Sequence, residues 1–246
     1  PRMLESIRER NALMRMAPYL VRPLGFLVPT TPGLMTGKTA MRAALTVNDL
    51  VGWRRNRGVL EEELRLPGGR VISRDEVKRL APGLPLRDVN GGAVFYDAQM
   101  TNSDRFTLAC PLGAARGGAV LANRVRGTGF EVRDNRIACL NARDLETGDT
   151  FEIRARQYAA MTGPWRDLLP ELLRPDTDKE AVVKNAGVQL VTRRSPSETL
   201  GLALPGGEVD PDAHLQRGGR HYFSTPWRGH TLWGTLDKEY RGRPGD

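Results

Sequence analysis

The sequence predicts a mixed α/β (α+β) fold, with helices first, strands last and more than one sheet. Three observations predict it. Apolar residues near the start, Met3, Leu4, Ile7 and Met14, recur at helical spacing. From Gly118 onward the pattern shortens to runs of strand length. Between two of those runs lies Glu146-Thr-Gly-Asp149, a strong hairpin turn.

Taken in order, residues 3–20 read as a helix that Pro18 brings to its end. Residues 20–36 hold Pro23, Pro29, Pro32 and Gly33 and read as extended or looped. A short helix is expected over about 38–53. The stretch 54–74, with Pro67-Gly68-Gly69, reads as loop. Ser73-Arg-Asp-Glu76 has capping-box spacing and opens a helix to about Leu80. Gly92 to Asp97 reads as a strand, and Asn102 or Ser103 caps a helix to about Arg116. Short strands are expected at Ala119–Val125, Thr128–Arg133, Arg136–Arg143 and Thr150–Arg156. Gln157–Thr162 reads as a small apolar strand, followed by a helix from Trp165 to Leu173. Strands return at Gly187–Thr192, Leu200–Leu204, His221–Thr225 and His230–Leu236. A long Gly/Asp-rich loop runs from Pro205 to Gly219.

Composition narrows the function classes. The 246 residues are 39% hydrophobic and 27% charged, enough apolar mass for a core rather than a disordered chain. The apolar stretch from Tyr19 to Met35 is cut by Arg22, Pro23, Pro29 and Pro32, so no membrane span is expected. No secretory signal pattern is visible, and a reducing cytoplasmic compartment is the default. Cys110 and Cys139 make no disulfide framework, and His214, His221 and His230 are too scattered for a metal motif. Both cysteines read as small buried hydrophobes. The net charge of +8 rests on arginine, with only Lys38, Lys78, Lys179, Lys184 and Lys238 as lysines. The arginines are spread out and aromatics are 6%, which argues against nucleic acid and leaves an anionic substrate or membrane surface. The Arg-rich helix at 2–15 is the candidate for such a surface, with a solvated face as its plain reading. The chain starts at Pro1 on a helical pattern and ends at Asp246 after a strand pattern, as a piece of a longer protein would.

No nucleophile elbow, P-loop, zinc pattern or dinucleotide glycine fingerprint is present. The most informative local feature is Tyr158-Ala-Ala-Met-Thr-Gly-Pro-Trp165. An apolar run ends in Thr-Gly, and Pro164 takes the preferred first helical position. Glycine there admits a ligand to the backbone, and a helix start favours phosphate. A plain strand-to-helix turn is the alternative.

A wider pattern surrounds it. Arg8-Glu-Arg-Asn-Ala-Leu with Met16-Ala-Pro18-Tyr-Leu20 and Pro23-Leu-Gly-Phe26 come first. Tyr96-Asp-Ala-Gln99, Asp104-Arg105, Gly117-Gly118-Ala-Val-Leu-Ala-Asn123 and the Glu146–Asp149 hairpin follow. Ala160 to Trp165, Thr225-Pro-Trp227, Gly234-Thr-Leu-Asp237 and Glu239-Tyr240 complete the series. In order and spacing this resembles the FAD-dependent glycerol-3-phosphate dehydrogenases, of the D-amino-acid-oxidase-like flavoproteins, over nearly the whole chain.

The resemblance implies an interleaved fold: a partial FAD-binding domain and a substrate-binding domain with a large mixed or antiparallel sheet. Residues 1–17 would adjoin the FAD domain, 18–100 and 179–246 would belong to the substrate domain, and 101–178 to the FAD domain. It implies FAD as cofactor and hydride transfer to flavin from glycerol 3-phosphate or a related hydroxy or amine substrate. Quinone or oxygen would be the electron acceptor, and the location cytoplasmic or peripheral on the inner face of the membrane. Carried over residue by residue, Val125 contacts the adenine through its backbone, and Thr162 and Gly163 pass the diphosphate and ribityl. Trp165 opens the next helix, and Gln189 faces the substrate. Gln189 departs from the family pattern, which has histidine there; an amide can hydrogen-bond a hydroxyl but accepts no proton at neutral pH. Leu236 is a second departure, from threonine. The FAD fingerprint would precede Pro1, and the phosphate-binding arginine and a lysine near the flavin would follow Asp246. The isolated chain is therefore expected to be inactive. Two other function classes stand beside the enzyme: a non-catalytic interaction domain that keeps the fold, and, on charge alone, a nucleic-acid-binding module.

At single residues the plain readings are these. Gln189 is an ordinary strand residue, Trp165 and Trp227 pack, Asp97 is a turn or cap residue, and His221 and His230 face solvent beside the Arg228-Gly229 turn.

Overall fold

In the computed structural model, residues 2–173, 184–193, 195–206, 221–240 and 242 are described. Five α-helices among them are α1 (Arg2–Met16), α2 (Lys38–Val51), α3 (Arg74–Leu80), α4 (Ser103–Arg116) and α5 (Leu169–Leu173). The strands are β1 (Val21–Thr30), β2 (Arg70–Ser73), β3 (Gly91–Met100), β4 (Val125–Arg133) and β5 (Arg136–Asp144). They continue with β6 (Thr150–Ile153), β7 (Lys184–Thr192), β8 (Leu200–Pro205), β9 (His221–Trp227) and β10 (His230–Tyr240). The chain divides into two compact units: Pro1–Cys110 with Val188–Leu236, and Pro111–Gly187 with Asp237–Asp246.

The first unit is built on a seven-stranded sheet of order β2-β3-β1-β8-β9-β10-β7. β1 pairs antiparallel with β3 along its whole length and parallel with β8 over Gly25–Leu27. The sheet is therefore mixed, as expected. Its core lies where helices cover one face: Leu27, Val94 and Leu202 are fully buried, together with Val77 of α3. A second cluster holds Met14, Leu20, Val59 and Leu66, so α1 and the 54–66 loop close that end of the unit.

On the opposite face aromatic rings collect. Phe26 stacks on Phe95 at 5.4 Å and meets Phe223 edge-on at 5.8 Å. Phe26 lies opposite Gly201 on β8, and a Cβ there would sit 2.5 Å from its ring. Gly201 is what lets the ring lie on the sheet.

The second unit carries the three-stranded antiparallel sheet β4-β5-β6. Glu146–Asp149 makes its turn as predicted: Gly148 takes φ +84, and Asp144 Oδ1 accepts from the Glu146 and Thr147 N–H groups at 2.7 and 3.2 Å. α5 packs on β4.

The caps follow the sequence. Ser73 Oγ accepts from Glu76 N at 3.2 Å, and Asn102 Oδ1 accepts from Arg105 N at 3.0 Å. The proline-rich stretch 20–36, read as extended or looped, is extended over the ten-residue strand β1; Pro23 and Pro29 lie outside its three-residue ladder with β8, where a missing N–H breaks no bond to that strand. Four expectations need correction. Ala119 to Arg124 is not a strand, and β4 begins only at Val125. Gln157–Thr162 is not a strand either: no described strand pairs with it, and a strand exists only through its ladder. The helix expected at 165–173 is a 3-10 turn, Gly163–Leu168, followed by α5. Cys110 is exposed on α4, and only Cys139 is buried. The Pro205–Gly219 loop, with His214, falls from residue 207 on outside the described residues, as do residues 174–183 with the 178/179 boundary.

Candidate functional site

The first unit holds an open cavity of about 630 Å³ on the aromatic face of its sheet. Leu24, Phe26, Leu232 and Gly234 line it from the strands, and Gln99, Gln189 and Thr225 supply polar side chains. Alternation in β-strands puts every second residue on this face, which is why Leu24 and Phe26 of β1 both reach it. The Gln189 side chain has no hydrogen-bond partner among the described residues and is exposed, so its amide is available to a ligand.

One end of the cavity is closed by the β9–β10 hairpin. Gln99 Nε2 donates to Pro226 O at 3.0 Å, and Trp227 Nε1 donates to Thr101 O at 2.9 Å. β3 and β9 are not neighbours; β1 and β8 lie between them. The two bonds therefore reach across the sheet face and hold the hairpin over the cavity end. Arg228, in the left-handed region at φ +51, stacks its guanidinium over Trp227 at 5.0 Å and also lines the cavity. Trp227, read from the sequence as packing, is thus also a clamp and a cavity wall. Asp97 is not a turn residue: it sits within β3 and pairs with Arg10 at 2.8 Å. His221 and His230 are exposed.

The second unit holds a cleft of about 480 Å³ lined by Ala160, Met161, Thr162, Gly163, Arg166, Leu169 and Leu173. Gly163 has φ +54, and among the described residues no atom lies within 4 Å of where a Cβ would be. Thr162 Oγ1 is buried without a hydrogen-bond partner among the described residues, and Trp165 N donates to Thr162 O at 3.1 Å. An orphaned buried hydroxyl is costly unless something accepts or donates to it. Bare glycine backbone, that hydroxyl and the Arg166 guanidinium form a donor set suited to a phosphate- and hydroxyl-bearing group. Thr162 and Gly163 share this cleft; Val125 and Trp165 do not line it. Val125 opens β4 opposite Asp144, and Trp165 is 48% exposed. Arg166 was missed in the sequence because one arginine among 32 carries no local signal.

A third cluster is electrostatic. Glu131, Cys139 and Glu152 stand on adjacent strands of the small sheet with ligand atoms within 4.8 Å of one another. Each carboxylate already has a partner: Arg133 at 2.6 Å from Glu131, and Arg154 at 2.7 Å from Glu152. Arg133 and the thiol both hydrogen-bond Glu131 and hold its carboxyl below the usual range. Burial, then the hydrogen bond to Glu131, pushes the Cys139 thiol up. A protonated thiol between two arginine-paired carboxylates is a poor metal ligand set.

Comparison with known proteins gives a consistent picture. The family model described as FAD dependent oxidoreductase matches residues 3–246. A glycerol-3-phosphate dehydrogenase of Synechocystis sp. is 27% identical over 247 residues, covering 97% of this chain and 42% of that protein. An alpha-glycerophosphate oxidase of Streptococcus pneumoniae is 29% identical over 241 residues, covering 97% of this chain and 37% of that protein. The chain thus spans about two fifths of the length of these relatives. Among solved structures, the glycerol-3-phosphate dehydrogenase from Bacillus halodurans, complexed with FAD, shares the fold with a TM-score of 0.68 at 21% identity. That match covers 96% of this chain and 38% of the other. The resemblance drawn from the motifs therefore holds.

Proposed function

Since the chain belongs to the FAD dependent oxidoreductase family, we propose that it is the central part of an enzyme that oxidises glycerol 3-phosphate, or a related hydroxy or amine compound, by hydride transfer to FAD. The observation that carries this reading is the Thr162–Gly163 turn, a buried hydroxyl without a partner among the described residues beside open glycine backbone. Bound FAD supplies the hydride acceptor. Thr162, Gly163 and Arg166 would hold its diphosphate and ribityl. The Val125 backbone would meet the adenine, and Trp165 would support the turn from outside the cleft. Residues 101–178 would then serve the cofactor and 18–100 and 179–246 the substrate, with 1–17 adjoining the cofactor part.

Gln189 is the substrate-facing residue of this reading. Its amide oxygen accepts a hydrogen bond from the substrate hydroxyl and orients the carbon that gives up hydride. It takes no proton at neutral pH, so the hydroxyl proton leaves by another group or water. Phe26, Leu24 and Leu232 provide apolar walls that limit water. Quinone or oxygen would reoxidise the flavin, and the protein would be cytoplasmic or peripheral on the inner membrane face. Among the described residues, no helix is long and apolar enough to cross a membrane.

The test is anaerobic reduction of the full-length protein. Its oxidised-flavin absorbance should bleach on addition of glycerol 3-phosphate. Gln189→Leu should slow bleaching by about tenfold to a hundredfold while leaving flavin content unchanged. Flavin bands that do not bleach would discard the substrate; a folded protein without flavin would favour the non-catalytic interaction domain.

A further inference from the structure

The large sheet has a gap beside the substrate cavity. β1 pairs with β3 along all ten of its residues, but β8 meets it only at Gly25–Leu27. Val21 to Leu24 therefore have no strand on their other side among the described residues. β9 pairs with β8 only as far as Ser224, so Thr225, Pro226 and Trp227 are held in a ladder by β10 alone. The tip of the β9–β10 hairpin thus runs past the end of β8 with an open edge. Residues on both sides of the gap line the cavity: Leu24, Gln99 and Thr101 on one, Thr225 and Trp227 on the other.

Two side chains cross the gap in opposite directions. Gln99 donates its amide N–H to Pro226 O at 3.0 Å, and Trp227 donates its indole N–H to Thr101 O at 2.9 Å. Both acceptors are carbonyls, so each bond depends on a donor that a carboxylate or a phenyl ring lacks. The anchor on the β3 side is firm. Thr101 donates both its backbone N–H and its hydroxyl to Leu20 O, at 2.9 and 3.2 Å, and Leu20 is buried in the core. Thr225, Arg228 and Leu232 ride on the hairpin and line the cavity, and the Arg228 guanidinium stacks on the same indole at 5.0 Å. Holding the hairpin tip therefore fixes these three side chains relative to Leu24 and Phe26 of β1.

We propose that Gln99 and Trp227 are positioning residues, a two-bond latch that fixes the β9–β10 hairpin as a wall of the substrate cavity. Each replaces, with a side chain, the backbone ladder that β8 is too short to supply. The effect on substrate rests on the oxidoreductase reading above. The latch itself does not, because hydrogen exchange in the hairpin reads it without substrate.

The experiment is amide hydrogen exchange of the full-length protein, followed by the kinetics of its reduction by glycerol 3-phosphate. Gln99→Leu and Trp227→Phe remove a donor and keep an apolar side chain in its place. Each should speed exchange at residues 225–232 by about tenfold, with β1 and β3 exchanging as in the unsubstituted protein. Each should raise KM by about tenfold, more than it lowers kcat. Gln99→Glu separates a latch from mere packing. Its ionised carboxylate cannot donate to Pro226 O, whereas its protonated form can. Compared with the unsubstituted protein at the same pH, its hairpin exchange and KM should recover as pH falls through the carboxyl range. Ser73→Ala, which removes only the α3 cap, should change neither. Hairpin exchange unaltered in Gln99→Leu and Trp227→Phe overturns the proposal, and so does faster exchange with KM unmoved. If glycerol 3-phosphate fails to reduce the unsubstituted protein while the variants still speed hairpin exchange, the substrate falls and the latch stands.

Discussion

Glu131 and Cys139 face each other across β4 and β5, and their protons tie stability to pH in opposite directions. The Glu131 carboxyl is lowered in the folded protein, so its contribution is present above the ordinary carboxylate range and is lost as pH falls through the folded value. The Cys139 thiol is raised, so its contribution is intact below the ordinary thiol range and is lost as pH rises through that range toward the folded value. Thermal unfolding followed across pH should show Glu131→Gln flattening the acid side and Cys139→Ala flattening the alkaline side, each also reducing the other side in part, because the two groups share a hydrogen bond. At the cofactor cleft, Gly163 is the sensitive residue. With φ +54, Gly163→Val is strained and puts a branched side chain where the backbone is open. Full-length protein carrying it should lose bound flavin, read as the absorbance per protein, while Trp165→Phe should retain it.

Among the elements, α3 shows how far local sequence reaches. Ser73 caps it through Glu76 N, Asp75 and Glu76 occupy its first turn, and Lys78 and Arg79 its last. Ser73→Ala should cost about 1 kcal/mol in denaturant unfolding. β1 shows where such reading stops. Its prolines left it extended or looped, and only β3 and β8, which supply the ladders, make its ten residues the spine of the large sheet. Leu27 at its middle is fully buried, and Leu27→Ala should cost about 2–5 kcal/mol, measurable by the same unfolding. Gln157–Thr162 shows the converse. Its apolar composition suggested a strand, but no described neighbour pairs with it, and Met161 is left 90% exposed.

At the scale of the molecule, the large sheet is assembled from distant parts of the chain. Gly25 lies opposite Leu200, and Trp227 reaches Thr101. A protein truncated before Leu200 would leave Leu27 and Phe26 without β8 and β9. Its far-UV circular dichroism should show no cooperative unfolding transition, where the longer chain should show one. The family was legible in the sequence because its motifs are local: Tyr96-Asp-Ala-Gln99, the Glu146–Asp149 hairpin and Thr162-Gly163-Pro164 each fit within a few residues. Helix starts and the hairpin turn were legible for the same reason, since caps and turns depend on neighbouring side chains. What gathers Gln99, Gln189, Thr225 and Trp227 around one cavity, and Arg166 beside Thr162, was not legible. Sequence by itself determined the family, the caps and the glycine turn, because local backbone preference and short-range hydrogen bonds decide those. Tertiary structure alone decided that the proline-rich segment is a central strand, that Cys139 is buried and Cys110 is not, and which polar groups share a cavity. Strand pairing and burial depend on neighbours far along the chain, and no local pattern encodes them.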